Sequence, residues 1–303
     1  MPSCPLSFLT CFTERPFLRP FCNRTISCAL HILNYNILRK ECVHLLPKKI
    51  FLSVRNLSHT YHTKNGETEA LHDISFDLYS GEFAAIVGPS GCGKSTLLDL
   101  VAGFIPVQTG SLSYPSSDRP PAVGYMLQKD HLLEYRTIYK NIILGLEITH
   151  QLSGERLRYV RALMEQYDIA DFADAHPREL SGGMRQRAAL IRTLAGQPSF
   201  LLLDEPFSAL DYQTRLDVSS DIVNIIREQK VTALLVTHDL SEAISIADRI
   251  LILGKRPGSI RSIVTIDFET EHRPTPQQAR LHPKFQKYFD LIWKELKSDE
   301  SIS

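Results

Sequence analysis

The octet Gly88-Pro89-Ser90-Gly91-Cys92-Gly93-Lys94-Ser95 constrains this 303-residue chain more than any other stretch. It fits the spacing G-x-x-x-x-G-K-[ST] of a phosphate-binding loop. Its surroundings suit that reading. The apolar run Phe83-Ala84-Ala85-Ile86-Val87 precedes it, as expected of a strand buried on both faces, and a helical pattern from Ser95 to Ala102 follows. Glycines let the backbone curl until its N–H groups converge on phosphate oxygens, and the helix start adds a favourable dipole. Lys94 would reach the β- and γ-phosphates and Ser95 would ligate Mg2+, and Thr96 is expected among the nucleotide-binding residues. Taken alone, the octet could also be an ordinary glycine-rich strand–helix turn. Cys92 sits beside a helix start that can lower a thiol pKa, but it reads as filler in the loop.

The rest of the chain alternates strand and helix signals. Phe51-Leu52-Ser53-Val54 and Ile74-Ser75-Phe76-Asp77-Leu78 alternate like half-buried strands, with a turn at Lys64-Asn65-Gly66-Glu67. Further apolar runs span 122–126, 200–203, 233–236 and 250–253, with helical patterns over 183–195 and 215–229 between them. Gly196 and Pro198 end the first of these helices in the usual stop order. This alternation predicts an α/β fold with a mainly parallel sheet. Residues 131–180 hold no convincing buried strand, whereas 155–167 carries apolar residues at Leu157, Val160, Leu163 and Met164. A helical subdomain inserted into the core is expected there, over about 131–182. After residue 255 comes a C-terminal tail: a short strand region, a polar linker and a helix over 285–296.

Composition narrows the classes. Lys plus Arg and Asp plus Glu total 34 each, so the net charge is zero, which disfavours a strongly basic nucleic-acid binder. No apolar run reaches the roughly 18 residues that cross a bilayer, so a membrane role would come through a partner. Five of the six cysteines (Cys4, Cys11, Cys22, Cys28, Cys42) lie in the first 42 residues, so no disulfide framework holds the main domain and a reducing compartment is expected. Residues 1–48 are rich in proline, carry a charge of +4 and lack the order of a secretory signal. They read as a poorly ordered extension or as upstream sequence from a mis-assigned start.

Two more stretches carry chemistry. Leu201-Leu202-Leu203-Asp204-Glu205 is an apolar strand ending in two carboxylates, at the edge of a parallel sheet where ligands sit. Asp204 would join a Mg2+ shell and Glu205 would orient or deprotonate an attacking water. A solvated acidic strand end would look the same. Leu180-Ser181-Gly182-Gly183-Met184-Arg185-Gln186-Arg187 places two glycines before a helix, where free N–H groups can bind an anion. A capping box opened by Ser181 would account for the serine, but not for the glycine pair followed by Arg185-Gln186-Arg187.

That second stretch resembles the signature motif of ATP-binding cassette ATPases, and the resemblance extends over about residues 49–255. It implies a P-loop NTPase, RecA-like core, an antiparallel β part on the N-terminal side and the helical insert. It also implies binding and hydrolysis of ATP with Mg2+ held by Ser95, Gln128 and Asp204. Gln128 matches the family glutamine that touches Mg2+ and senses the transmembrane partner. Asp211, in Ser208-Ala209-Leu210-Asp211, matches the loop that crosses the dimer interface, where a simple helix start is the alternative. His238, in Val236-Thr237-His238-Asp239, matches the switch histidine at the γ-phosphate, although a core histidine would look alike. Tyr61 stands where the family keeps an aromatic that stacks on adenine; it could equally be an ordinary strand residue. The family works as a head-to-tail dimer, so Ser181, Gly182 and Gly183 are expected to serve the nucleotide held by Lys94 of a second copy.

Residues 180–187, 207–211, 236–249 and Arg256-Pro257-Gly258-Ser259-Ile260 look most like the ATPase subunits that drive import of nitrate, sulfonates, taurine and related solutes. That resemblance implies a transmembrane permease, an extracytoplasmic solute-binding protein acting indirectly, and a peripheral position on the cytoplasmic face of the inner membrane. Glu134-Tyr135-Arg136-Thr137 departs from the Pro-Trp-Arg-Thr usual after the glutamine loop, so import of a thiamine-precursor pyrimidine or another vitamin-like solute stays open. Cassette proteins acting on ribosomes or DNA are the other alternative. They usually carry two cassettes or long coiled coils, and neither pattern is found here.

Overall fold

The computed structural model describes residues 49–64, 66–115, 120–208, 210–270 and 272–297. The expectation for residues 1–48 lies outside them. The strands in chain order are β1 (Ile50–Thr63), β2 (Gly66–Tyr79), β3 (Phe83–Val87), β4 (Thr109–Ser113), β5 (Val123–Met126), β6 (Phe200–Asp204), β7 (Thr232–Val236), β8 (Arg249–Leu253) and β9 (Ile260–Thr265). The helices are α1 (Lys94–Ala102), α2 (Ile138–Ile142), α3 (Leu144–Ile148), α4 (Gly154–Gln166), α5 (Gly182–Ala195), α6 (Tyr212–Glu228), α7 (Leu240–Ile246), α8 (Pro276–Leu281) and α9 (Pro283–Lys297).

A six-stranded sheet runs in the order β5-β6-β7-β3-β8-β9, parallel except for β9. The continuous apolar runs follow from its burial on both faces. Along β3, Phe83, Ala85 and Val87 enter one core layer while Ala84 and Ile86 enter the other. Strands β6, β7 and β8 divide their side chains the same way, and each fully buried aliphatic side chain contributes roughly 1.5–3 kcal/mol. The first layer also takes the apolar faces of α5, α6, α7 and the helical insert, through Ile138, Ile142, Val160, Leu163 and Met164. Ile266, Phe268, Ala279 and Ile292 bring the C-terminal tail into this same layer. The second layer lies between the large sheet and the antiparallel sheet β2-β1-β4, with α1 beside it.

The structure departs from the sequence expectations in particular places. Along β1, Leu52, Ser53 and Val54 are all buried: Leu52 and Val54 enter the second core layer, and Ser53 on the opposite face is covered as well. The run at 122–126 is only half inside, since β5 is the sheet edge: Gly124 and Met126 are buried, Ala122 and Val123 exposed. Helix α5 does end at Gly196, but Gly196 keeps φ −72° and the left-handed turn falls on Gln197 at φ 50°. Strand β4 and the short helices α2, α3, α7 and α8 offer too few residues for a periodic signal.

Candidate functional site

The parallel register sets the site. Met126 pairs with Leu203, Leu203 with Leu235, Asp204 with Val236, and Val236 with Ile86. Four neighbouring strands therefore end together, and the loops after β5, β6, β7 and β3 stand side by side at the carboxyl edge. They carry Gln128, Glu205, His238 and the phosphate-loop octet, in that order.

The octet curls with Gly91 at φ 76° and Gly93 at φ 100°. A Cβ on Gly93 would lie 2.7 Å from Ala70 O and 2.7 Å from Leu71 Cδ2, so only glycine allows this turn against β2. Gly93 caps α1 without a side-chain bond, which leaves backbone N–H groups at the helix start for an anion. Lys94 is buried, and its Nζ donates to Gly88 O and Pro89 O at 2.9 Å each. The ammonium thus lies inside the curl of the loop. Ser90, Gly91, Gly93, Lys94, Ser95, Thr96 and Glu205 line an open cavity of about 330 Å³, with Ala70 and Arg256 at its rim.

Asp204 ends β6 facing α1, where Ser95 Oγ donates to its Oδ1 at 3.5 Å. Burial pushes the Asp204 carboxyl up; the hydroxyl of Ser95 and the charge of Lys94 oppose that, and the Glu205 and Asp99 charges add to it. The next residue, Glu205, adopts φ 45°, a conformation costly for a side-chain-bearing residue. Its N–H donates to Val236 O at 2.9 Å, and its carboxylate is gripped from both sides. Gln128 Nε2 donates to Oε2 at 3.2 Å, and His238 Nδ1 lies 3.1 Å from Oε1. The sequence order of these residues gives no hint of this contact; the strand order creates it. Beneath His238, Thr237 Oγ1 donates to Glu242 Oε2 at 2.8 Å, and burial pushes the Glu242 carboxyl up to about 8.

Tyr61 on β1 reaches the same end of the molecule, and its hydroxyl donates to Thr96 Oγ1 at 3.3 Å. Cys92 is buried in the second core layer, and burial raises its thiol pKa, so the helix start does not activate it. Asp211 caps α6 by accepting from Thr214 N at 3.1 Å; the hydrogen bonds from Thr214 hold its carboxyl below the usual range.

Ser181, Gly182 and Gly183 do not line the phosphate cavity of their own chain. They open α5, where Ser181 Oγ accepts from Met184 N at 3.3 Å. The third helical position is the apolar Met184, so the reciprocal arm of a capping box is missing. The two glycines differ. A Cβ on Gly183 would lie 2.5 Å from Thr214 Cγ2, whereas Gly182 is exposed with Leu210 Cδ2 3.6 Å away. Gly183 therefore serves packing against α6, and Gly182 leaves open backbone.

Sequence reading missed the connections behind α5. Arg185 Nε donates to Asp130 Oδ2 at 2.9 Å, Arg192 Nη1 donates to His131 O at 2.8 Å, and Gln186 Nε2 donates to Pro206 O. These bonds tie the helix that starts at Ser181 to the loop after Gln128 and to the residue after Glu205. The contacts of Ser208, noted only as part of the interface loop, were missed as well: it accepts from Gln128 Nε2 at 3.4 Å and donates to Glu205 O at 3.0 Å. Polar residues this far apart in sequence carry no local pattern.

Comparison with known proteins gives the family. The family model described as ABC transporter matches residues 71–208. An uncharacterized ABC transporter ATP-binding protein of Bacillus subtilis is 44% identical over 253 residues, covering 82% of this chain and 97% of that protein. A nitrate import ATP-binding protein of Synechocystis sp. is 36% identical, covering 82% of this chain and 96% of its own. An aliphatic sulfonates import ATP-binding protein of Bacillus licheniformis is also 36% identical, covering 83% and 96%. Among solved structures, a dimeric ATP-binding cassette in a post-hydrolysis state with ADP and Pi has a TM-score of 0.62 at 27% identity, covering 71% of this chain and 99% of that one.

Proposed function

The chain belongs to the ABC transporter family as an ATP-binding, ATP-hydrolysing subunit, and from that premise we propose that it powers import of a small solute through a membrane permease. The observation that carries the hydrolytic half is Glu205, held between Gln128 and His238 beside the phosphate cavity. Glu205 orients the attacking water and takes its proton; Gln128 and His238 fix the carboxylate, and His238 also faces the terminal phosphate. Lys94 and the N–H groups of the loop hold the phosphates, and Tyr61 offers its ring to the base. Positioning and electrostatics supply the rate.

Ser95, Asp204 and Gln128 form the set for Mg2+. The fit rests on Asp204, a desolvated carboxylate beside a hydroxyl, which a divalent cation would relieve. Few protein ligands are expected, because Mg2+ keeps waters and takes phosphate oxygens for the rest of its shell. When bound it would neutralise charge on the phosphates.

Ser181, Gly182 and Gly183 stand outside their own cavity, which supports a dimer in which they meet the nucleotide on a second copy's Lys94. Asp211 follows Leu210, whose Cδ2 lies 3.6 Å from a Cβ placed on Gly182, and we assign it to the same interface. Among the described residues no helix is long and apolar enough to cross a membrane. The family resemblance supports a peripheral subunit on the cytoplasmic face of the inner membrane, with a solute-binding protein acting on the far side. The relatives' names support a solute of the nitrate or sulfonate class over a pyrimidine, and they give no support to a ribosome or DNA role.

The test is co-purification. Tagged Glu205→Gln protein is expressed in its native cell, given MgATP and gently solubilised. A polytopic membrane protein is expected among its companions. Ribosomes or DNA without one would contradict the transport reading.

A further inference from the structure

The turn between β8 and β9 carries Arg256-Pro257-Gly258-Ser259, which the site described above leaves unused. The turn is closed by Gly254 N–H donating to Ser259 O at 3.0 Å. It is also pinned to β2: Gly258 N–H donates to Ala70 O, and His72 N–H donates to Gly258 O, both at 2.9 Å. A Cβ on Gly258 would lie 2.0 Å from Cys92 O, so the turn rests backbone to backbone on the phosphate loop. Only glycine permits that approach. The consequence falls on the residue two places earlier. Arg256 is exposed, and it lines the cavity of about 330 Å³ together with Ser90, Gly91, Lys94, Ser95 and Glu205.

Among the described residues no carboxylate forms an ion pair with Arg256. A guanidinium held at the wall of a phosphate cavity matches phosphate oxygens in its planar fork of donors. Lys94 offers one cation from within the loop; Arg256 offers a second from the rim.

We propose that Arg256 is a second cationic ligand for the polyphosphate of the bound nucleotide, acting in the same chain whose Lys94 holds it. This rests on the nucleotide-binding reading of the cavity. The test is calorimetric titration of the full chain with MgATP, MgADP and AMP, for the parent protein and for Arg256→Ala, Arg256→Lys and Lys94→Ala. Arg256→Ala is expected to weaken MgATP and MgADP about tenfold, the scale of one charge-assisted bond at an exposed site, and AMP much less. Arg256→Lys is expected to recover part of the loss, with Tm unchanged in both because the side chain is exposed. Parent-like affinity of Arg256→Ala for MgATP and MgADP overturns the proposal, as does an equal loss for AMP, which would place the arginine on the nucleoside. If Lys94→Ala loses binding while Arg256→Ala keeps it, the cavity reading stands and this proposal alone fails. If the parent chain binds no adenine nucleotide, the cavity reading fails first.

Discussion

The helix starts at Gly93 before α1 and at Gly182 and Gly183 in α5 both offer backbone N–H groups, and they differ in what surrounds them. The start of α1 lies in a cavity with the buried Lys94 and the Glu205 carboxylate, while Asp204 meets Ser95 and His238 meets Glu205, all supplied by the same chain. The start of α5 is exposed, capped by its own Ser181, and lies outside the phosphate cavity; Gly182 shares a separate cavity of about 290 Å³ with Gln128 and Arg185. Behind its exposed face, α5 is tied to the first site through Arg185, Gln186 and Arg192. The same backbone chemistry is thus complete within one chain at α1 and half a site at α5. The polar bonds between them give a second copy, docked on α5, a physical route to Gln128 and Glu205.

The largest expected effect breaks the α1 side. Lys94→Ala removes the cation inside the curl of the loop, and MgATP affinity should fall at least 100-fold, a loss of about 3 kcal/mol or more. Titration calorimetry checks this. Next comes Glu205→Gln, which keeps the shape of the carboxylate but cannot accept a proton. MgATP binding should persist while steady-state phosphate release falls about 10²–10⁴-fold, the usual worth of a positioned base. Turnover near that of the parent chain would remove Glu205 from that role.

The α5 side should respond differently. Gly183→Ala drives a Cβ to 2.5 Å from Thr214 Cγ2, and overpacking of this kind costs about 1–3 kcal/mol, so its Tm should fall by several degrees. Gly182→Ala has room and should keep its Tm. Both should retain MgATP affinity in the monomer and lose turnover, because the group they disturb serves a second copy. Thermal melts and ATPase assays on the same preparations separate the two effects.

The smallest effect concerns the support of His238. The Glu242 carboxyl, with Asp239, Arg215 and Arg280 around it, titrates near 8 in the folded chain, pushed up by burial from an ordinary value of 4.5. The folded state then binds the extra proton between those values, so stability falls as pH rises through that window. Glu242→Gln keeps the bond from Thr237 without the titration. Its Tm should lose that part of the pH slope and exceed the parent's above pH 8, by a few degrees at most.

Much of the α1 side was legible in the sequence. The doubly buried strands β3, β6, β7 and β8 show as apolar runs, and the octet and the Asp204-Glu205 pair each sit at the end of one. Strand order was not legible, because nothing local in a sequence says that β7 inserts between β6 and β3. The contact of Gln128 and His238 with Glu205 follows from that order, so only resemblance pointed to it. The α5 side was legible as a motif, but not as two glycines with different duties, since Thr214 meets Gly183 only through tertiary packing. Arg256 was noticed only as part of a family-like stretch; its place at the phosphate cavity depends on where the Gly258 turn docks.

The most direct test of the half-site at α5 is the mass of the Glu205→Gln protein by light scattering, with and without MgATP. The account predicts a monomer without nucleotide and a stable dimer with it, lost again when Ser181→Arg blocks the start of α5. A Glu205→Gln chain that binds MgATP and stays monomeric at every concentration would contradict it.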